Sequence, residues 1–338
     1  MKAVVFTLGC KVNDVESGSL IRGLEEMGYE VSRFLEENAD LYIINTCAVT
    51  AEAERKSRQT VGKAIKAGKD AKIIVCGCAS QRNAEQFFEK AENVYYVSGA
   101  QSKNRILEIV QEGLPLDQRG ICIADGGKQY EEMLVPECLK TRSFVKIQDG
   151  CNRFCSYCII PYLRGGSRSR KLSSVVDEVL SSGAKETVLT GIDISEYRDE
   201  DGNTFIQLLE ALQDVSTRIR LGSIEVSLIT DEFLVAAKKV KNFAPQFHLS
   251  LQSGSNAVLK SMNRHYTREE YLEACRKIYE AFPNASVTTD IIVGFPTETE
   301  EDFLQSMKIV ENTGTHAPAK SPPLPQSSST ARNPLPSP

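Results

Sequence analysis

Short apolar runs separated by helical stretches fill the first hundred residues. Positions 4–8, 41–46, 72–76 and 94–98 are rich in Val, Ile and Tyr, which suit a pleated, buried strand. Between the first two runs, Leu20, Ile21, Leu24 and Met27 recur at helical spacing, and Gly28 ends that segment. This βαβα rhythm predicts a parallel, doubly wound sheet with helices on both faces.

Residues 113–142 break the rhythm with Gly113, Pro115, Gly120, Gly126, Gly127 and Pro136, predicting a linker with a small hairpin. Alternation then resumes. Strands are predicted at 143–148, 187–192, 219–226, 247–251 and 286–293, and helices at 173–182, 204–214, 231–241, 267–282 and 300–313. Such β/α units predict an incomplete TIM-like barrel. From Thr315 the character changes: residues 315–338 hold seven prolines and almost no large apolar side chains, predicting disorder. The expected organisation is therefore an N-terminal domain at 1–112, a linker at 113–142, a partial barrel at 143–314 and a tail at 315–338.

Length and composition fit this picture. A chain of 338 residues with 41% hydrophobic content can bury two cores. Its net charge of −5 leaves no strong nucleic-acid footprint at whole-chain level. No apolar run approaches the roughly 20 residues of a membrane helix. Leu8-Gly9-Cys10 resembles a lipoprotein cleavage site, but only Ala3-Val4-Val5-Phe6 precedes it, too short for a secretory segment. A first strand in a cytoplasmic protein is expected instead.

Ten cysteines are many for such a protein, in which clustered thiols more often bind metal or react than form disulfides. Cys151, Cys155 and Cys158 form Cys-x3-Cys-x2-Cys directly after a predicted strand. Thiolates are the usual ligands of a [4Fe–4S] cube, and three of them leave one iron open to a small molecule. In S-adenosylmethionine radical enzymes the methionine amino and carboxylate groups take that place. The alternative is a structural zinc site, which needs a fourth ligand that the neighbouring sequence does not supply. Cys10, Cys47 and Cys78 each follow a predicted strand. In an open parallel sheet, ligands bind beyond the carboxyl ends of the strands, so these three converge on one edge and fit a second cluster with one open iron. The bland reading of each alone is a buried thiol. That reading is kept for Cys76, Cys122, Cys138 and Cys275.

With these residues in view, a family resemblance emerges. Thr7-Leu8-Gly9-Cys10-Lys11-Val12-Asn13, Asn45-Thr46-Cys47-Ala48-Val49-Thr50 and Gly77-Cys78-Ala79-Ser80-Gln81 resemble the three N-terminal motifs of radical methylthiotransferases. Gly150 to Tyr162, continuing into Arg164-Gly165-Gly166-Ser167-Arg168-Ser169-Arg170, is similar to that family's signature. Ala48-Val49-Thr50, with Lys11-Val12-Asn13, looks most like the branch acting on threonylcarbamoyladenosine in tRNA. The resemblance implies two [4Fe–4S] clusters and S-adenosylmethionine. The first cluster would generate the radical that takes hydrogen from C2 of the modified adenosine beside the anticodon. The second would hold or donate sulfur, which a second S-adenosylmethionine methylates. The implied partners are a tRNA anticodon stem-loop, a reductase such as flavodoxin or ferredoxin, and a sulfur donor. Alternative readings are methylthiolation of a ribosomal protein, or a truncated iron–sulfur protein without turnover. The likeness stops near Gly314, where a sixth barrel strand is expected, and the family's C-terminal tRNA-binding β-barrel has no counterpart in this sequence.

Further contacts to S-adenosylmethionine are expected from Tyr157, between the last two cluster cysteines, and from Gly191, Glu225 and Gln252 near predicted strand ends. Polar groups there can equally be strand caps. Two stretches, 142–171 and 55–72, each carry a local net of +6. They are candidates for phosphate contact, with a solvated helix face as the alternative; within the first, residues 164–170 follow the active-site loop.

Overall fold

The computed structural model describes residues 1–112, 119–124, 127, 129–136, 141–313 and 319–320. Its N-terminal half is a parallel sheet of β1 (Lys2–Thr7), β2 (Glu30–Ser32), β3 (Leu41–Thr46), β4 (Lys72–Gly77), β5 (Val94–Ser98) and β6 (Gly120–Cys122). The spatial order is β2-β1-β3-β4-β5-β6. Central strand β3 is buried at every residue, which explains its unbroken apolar run: helices cover both faces. Alternate side chains feed opposite cores. Val5 and Ile43 meet Leu20, Ile21 and Leu24 of α1 (Lys11–Glu26), whereas Val4 and Ile44 meet Val61 and Ala64 of α2 (Ala51–Ala67). Cys76 lies in the first of these cores, fully buried. Short helices α3 (Cys78–Arg82) and α4 (Glu85–Phe88) follow β4, and α5 (Asn104–Gln111) follows β5.

Gly120–Cys122 lies inside the stretch expected to be a linker with a hairpin. It instead pairs in parallel with β5 as the sixth strand. The exposed edge of β5 offers unpaired backbone groups, and pairing satisfies them whatever the side chains. Residues 113–118, 125–126, 128 and 137–140, with Cys138 among them, lie outside the described residues.

The second half follows as β7 (Arg142–Lys146), β8 (Gln148–Asp149), α6 (Ile160–Arg164), β9 (Arg168–Ser169), α7 (Leu172–Ser181), β10 (Glu186–Thr190), α8 (Phe205–Ala211), β11 (Arg218–Leu221), β12 (Ser223–Ile224), α9 (Asp231–Lys239), β13 (Gln246–Leu249), α10 (Asn256–Ser261), α11 (Arg268–Ala281), β14 (Ser286–Thr288), β15 (Ile291–Ile292) and α12 (Glu300–Thr313). Parallel pairing runs β7-β10-β11 and then β12-β13-β14 around a single apolar core. Thr204 and Thr267 start α8 and α11 as capping boxes with Gln207 and Glu270.

Two predicted strands are broken in the structure. Run 219–226 divides at Gly222, whose N–H still reaches Leu189 O at 2.8 Å while β12 turns to pair with β13. Run 286–293 divides at Thr289, whose hydroxyl donates to Leu249 O and accepts from Leu251 N–H, replacing ladder bonds with side-chain bonds. Of the segment expected to be disordered, only Ala319 and Lys320 are described, as β16 paired in parallel with β15. Among the described residues no helix is long and apolar enough to cross a membrane.

A buried charge network joins the two halves. Glu16 of α1 bonds Lys103 at 2.8 Å, Lys146 of β7 at 2.7 Å and Arg164 of α6 at 2.9 Å. Asp149 of β8 bonds Lys146 at 2.8 Å, Arg164 at 2.9 Å and Arg168 of β9 at 3.0 Å. The expectation that 164–170 faces phosphate is corrected here. Arg164 and Arg168 are buried in this network, and Arg170 is buried against Glu178 and Glu132. Charges taken from water need fixed partners, and these have them within the protein. Stretch 55–72, by contrast, forms most of α2 and presents Lys63, Lys66 and Lys69 to solvent.

Burial alone would raise the Glu16 carboxyl. The Arg164, Lys103 and Lys146 charges outweigh it and hold Glu16 well below the usual carboxylate range. Asp149 is held down likewise, against its burial, by Arg164 and Lys146. A depressed carboxylate stabilises the fold fully above its unfolded pKa, about 4, and that stability is lost as pH falls towards the folded value. Glu16→Ala is therefore expected to cost about 3–5 kcal/mol at neutral pH in denaturant unfolding. The gap from the parent protein should narrow as pH drops below about 4. A gap that stays constant down to pH 3 would show that the carboxylate charge is not the source.

Candidate functional site

The loop after β8 is shaped by close backbone approach. Gly150 has φ +71°, and a Cβ there would stand 2.0 Å from Gly166 O, so only glycine fits. Cys151 N–H donates to Gly165 O at 3.1 Å, which ties the loop to the chain beyond α6. Phe154, also at positive φ, is held because Asn263 Nδ2 donates to the carbonyls of Arg153 and Phe154. Ser156 N–H donates to Met262 O just after α10, a helix the sequence pattern did not reveal.

Cys151, Cys155 and Cys158 line a cavity of about 580 Å³ at the C-terminal ends of the barrel strands. Tyr157, Thr190, Gly191, Asp193, Ser223 and Glu225 share its wall. The opposite wall comes from the N-terminal half: Gly9, Cys10, Lys11, Val12 and Val49. One space therefore meets a thiol from each predicted triplet. Gln252 is not part of the lining; its backbone pairs with Asp290 and Ile292 on the neighbouring strand.

Cys47 and Cys78 are buried beside Cys10 rather than in the cavity wall. Cys10 caps α1 and Cys78 opens α3, while Cys47 directly follows β3. Gly9 and Gly77, each preceding a cysteine, have φ of +110° and +100°. A Cβ on Gly9 would meet Cys47 Sγ at 3.0 Å, and one on Gly77 would meet Thr46 O at 2.4 Å. Asn13 braces these loops, donating to Leu8 O at 2.7 Å and Thr46 O at 3.1 Å. Its Oδ1 accepts from Arg164 at 2.8 Å and from Cys10 Sγ at 3.9 Å.

Burial pushes Cys47 up to about 11 and Cys151 up to about 12, and it raises Cys78 and Cys158. Such thiols stay protonated near neutrality until a cation replaces the proton. Among the described residues no three His, Cys, Asp or Glu side chains converge closely enough to hold one metal ion. A single tetrahedral zinc needs that convergence, whereas a cube takes each thiolate on a different iron. Three thiols of the barrel loop line the cavity and Cys10 faces them from the sheet half, with Cys47 and Cys78 buried behind it; thiols are the donor chemistry that an iron–sulfur cluster takes.

Several polar residues at the site escaped the sequence reading. Arg264 donates to Cys155 Sγ at 3.2 Å and to Tyr266 Oη at 3.2 Å, and it forms an ion pair with Glu225. Arg153 pairs with Asp193 at 2.5 Å. Arg153 entered the sequence reading only as part of the 142–171 basic stretch, and no spacing signal marked Arg264. Gly191 is glycine because a Cβ would lie 2.9 Å from Gln148 O. Gln148 Oε1 in turn accepts from the N–H groups of Ile192 and Asp193.

Comparison with known proteins now bears on this geometry. Residues 145–310 match the family described as "Radical SAM superfamily", and residues 2–99 match "Uncharacterized protein family UPF0004". Threonylcarbamoyladenosine tRNA methylthiotransferase MtaB of Aquifex aeolicus is 38% identical over 319 residues, covering 92% of this chain and 77% of the relative. Its namesake in Bacillus subtilis is 39% identical, covering 92% and 71%. The tRNA-2-methylthio-N(6)-dimethylallyladenosine synthase of Clostridioides difficile is 36% identical, covering 90% and 66%. Among solved structures, the cobalamin-dependent S-adenosylmethionine radical enzyme OxsB superposes with a TM-score of 0.63 at 14% identity. The superposition covers 92% of this chain but about half of that one, 52%, and the likeness concerns the fold alone.

The glycine geometry gives a direct test. Gly183→Ala, at positive φ in open space, should cost only the conformational penalty of about 1–2 kcal/mol. Gly150→Ala should cost more, because the Gly166 backbone must move to admit the methyl. Equal losses in unfolding free energy would contradict the close approach.

Proposed function

This chain belongs to the radical S-adenosylmethionine methylthiotransferases, and we propose that it methylthiolates tRNA at C2 of N6-threonylcarbamoyladenosine beside the anticodon. Membership implies S-adenosylmethionine and a [4Fe–4S] cluster. We assign that cluster to Cys151, Cys155 and Cys158, and a second to Cys10, Cys47 and Cys78. The carrying observation is that Cys10 and the Cys151–Cys158 loop face one cavity from opposite halves of the protein. A reaction joining hydrogen abstraction to sulfur transfer requires such a shared space.

When bound, the first cluster and S-adenosylmethionine supply the one-electron chemistry that breaks an unactivated C–H bond. The chain's own residues do the rest. Gly191 and Gly222 contribute strand-end backbone to the cavity wall, which a ligand can approach. Glu225 and Arg264 form a fixed charged pair in the wall, and Tyr157 supplies an apolar face. Gly9, Val12 and Val49 close the far side and limit water. In this reading, residues 1–112 carry the sulfur-handling site and residues 143–314 the radical site. A one-electron reductase such as flavodoxin or ferredoxin and a sulfur donor serve them, in the cytoplasm where tRNA is modified.

The choice of threonylcarbamoyladenosine draws on the Aquifex and Bacillus relatives' names and on Ala48-Val49-Thr50. The Clostridioides relative, named for a dimethylallyladenosine product, supports the alternative base at similar identity. Mass spectrometry of tRNA nucleosides from a complemented null strain separates the two. The 2-methylthio derivative of N6-threonylcarbamoyladenosine is expected. The dimethylallyl analogue alone, or a methylthio group on a ribosomal protein alone, would refute the assignment.

Cluster content is tested independently of substrate. Anaerobically reconstituted protein should hold about eight irons, falling to about four in Cys10→Ala/Cys47→Ala/Cys78→Ala. An unchanged iron count would remove the second cluster. Reductant and S-adenosylmethionine should yield 5′-deoxyadenosine; iron without that product would leave a cluster protein without turnover.

A further inference from the structure

Arg164 occupies an unusual position. It ends α6, which begins two residues after Cys158, yet its side chain leaves the barrel half and enters the N-terminal one. It is fully buried. One terminal nitrogen donates to Glu16 Oε1 and to Asp149 Oδ1, both at 2.9 Å. The other donates to Asn13 Oδ1 at 2.8 Å and to Glu16 Oε2 at 3.2 Å. Its Nε finds no hydrogen-bond acceptor among the described residues. The guanidinium also acts on the Cys78 thiol as a neighbouring positive charge. The Arg164 carbonyl is anchored too, accepting from Gln101 at 2.8 Å and from Arg168 at 2.7 Å.

These contacts reach the whole second triplet. Arg164 acts on Cys78 as a neighbouring charge, and it fixes Asn13, whose amide holds the carbonyls preceding Cys10 and Cys47. We propose that Arg164 is a positioning residue for Cys10, Cys47 and Cys78. It holds them in register with the Cys151–Cys158 loop and raises the reduction potential of the cluster they bind. Net charge and hydrogen bonds to sulfur are the protein's main controls on that potential. A fixed cation on the buried side of the site favours the reduced, more negative state. Lysine cannot substitute fully, because its point charge lacks the planar fork that here serves two carboxylates and an amide at once. The inference rests on the assignment of a second cluster made above.

The test is a redox titration of reconstituted wild type, Arg164→Lys and Arg164→Gln, following each cluster by its electron paramagnetic resonance signal. The midpoint of the second cluster should move to more negative potential in Arg164→Lys and further in Arg164→Gln. The first cluster's midpoint should hold still. Arg164→Gln leaves Glu16 and Asp149 under-compensated, so if it does not fold, Arg164→Lys decides. Loss of only the second cluster's iron from folded Arg164→Lys also supports the positioning role. An unmoved second midpoint in folded, fully loaded Arg164→Lys overturns the proposal. So does an equal shift of both midpoints, the mark of general loosening. Wild type lacking any second signal would instead defeat the two-cluster assignment, and this inference with it.

Discussion

Everything functional in this protein depends on how the sheet half and the barrel half are set against each other, and a buried electrostatic lock does that. Glu16 and Asp149 collect four cations, Lys103, Lys146, Arg164 and Arg168, drawn from both halves. Desolvating so many charges is costly, and hydrophobic packing of equal volume could match or exceed their stabilisation. What an apolar contact cannot do is define one register. A forked guanidinium bonded to three separate groups tolerates little sliding, because any shift leaves a buried charge unpaired.

That register sets the site. The barrel presents its thiols on a loop that glycine and asparagine force into shape, and the sheet presents its own beyond the carboxyl ends of three adjacent strands. Glycine precedes Cys10, Cys78 and Cys151, each time at positive φ. The backbone there lies too close to a neighbouring strand or loop for a side chain. Each thiol is thus placed by a steric limit upstream of it, and the lock then brings the two placements to a common cavity. Burial raises the Cys47, Cys78, Cys151 and Cys158 thiols, so a metal that binds there must displace protons.

The cysteine pattern and the β/α alternation were legible in the sequence because both are local: spacing within eight residues, or apolar period within one element. The placement of Cys10, Cys47 and Cys78 beyond the ends of neighbouring strands was also legible, since parallel topology alone carries strand ends to one edge. What the sequence concealed were partnerships across long separations. Arg164, Arg168 and Arg170 look like a basic tract suited to phosphate. Of their carboxylate partners, Glu16 and Glu132 are remote in the chain, and pairing with the nearer Asp149 and Glu178 shows only in the fold, so the tract's net charge misrepresented its exposure. Arg264 was missed for the same reason: its meaning comes from Cys155 and Glu225, which only the fold brings near. Gln252 shows the opposite error, because a position beside a strand end did not put it in the cavity wall.

The central claim is that two thiol triplets bind clusters facing one shared space. Electron paramagnetic resonance of the doubly reduced protein tests it most directly. Two reduced clusters across one cavity should broaden each other's signals by spin–spin interaction, and Cys10→Ala/Cys47→Ala/Cys78→Ala should restore a single narrow signal. Two sharp signals that ignore each other would contradict the shared cavity.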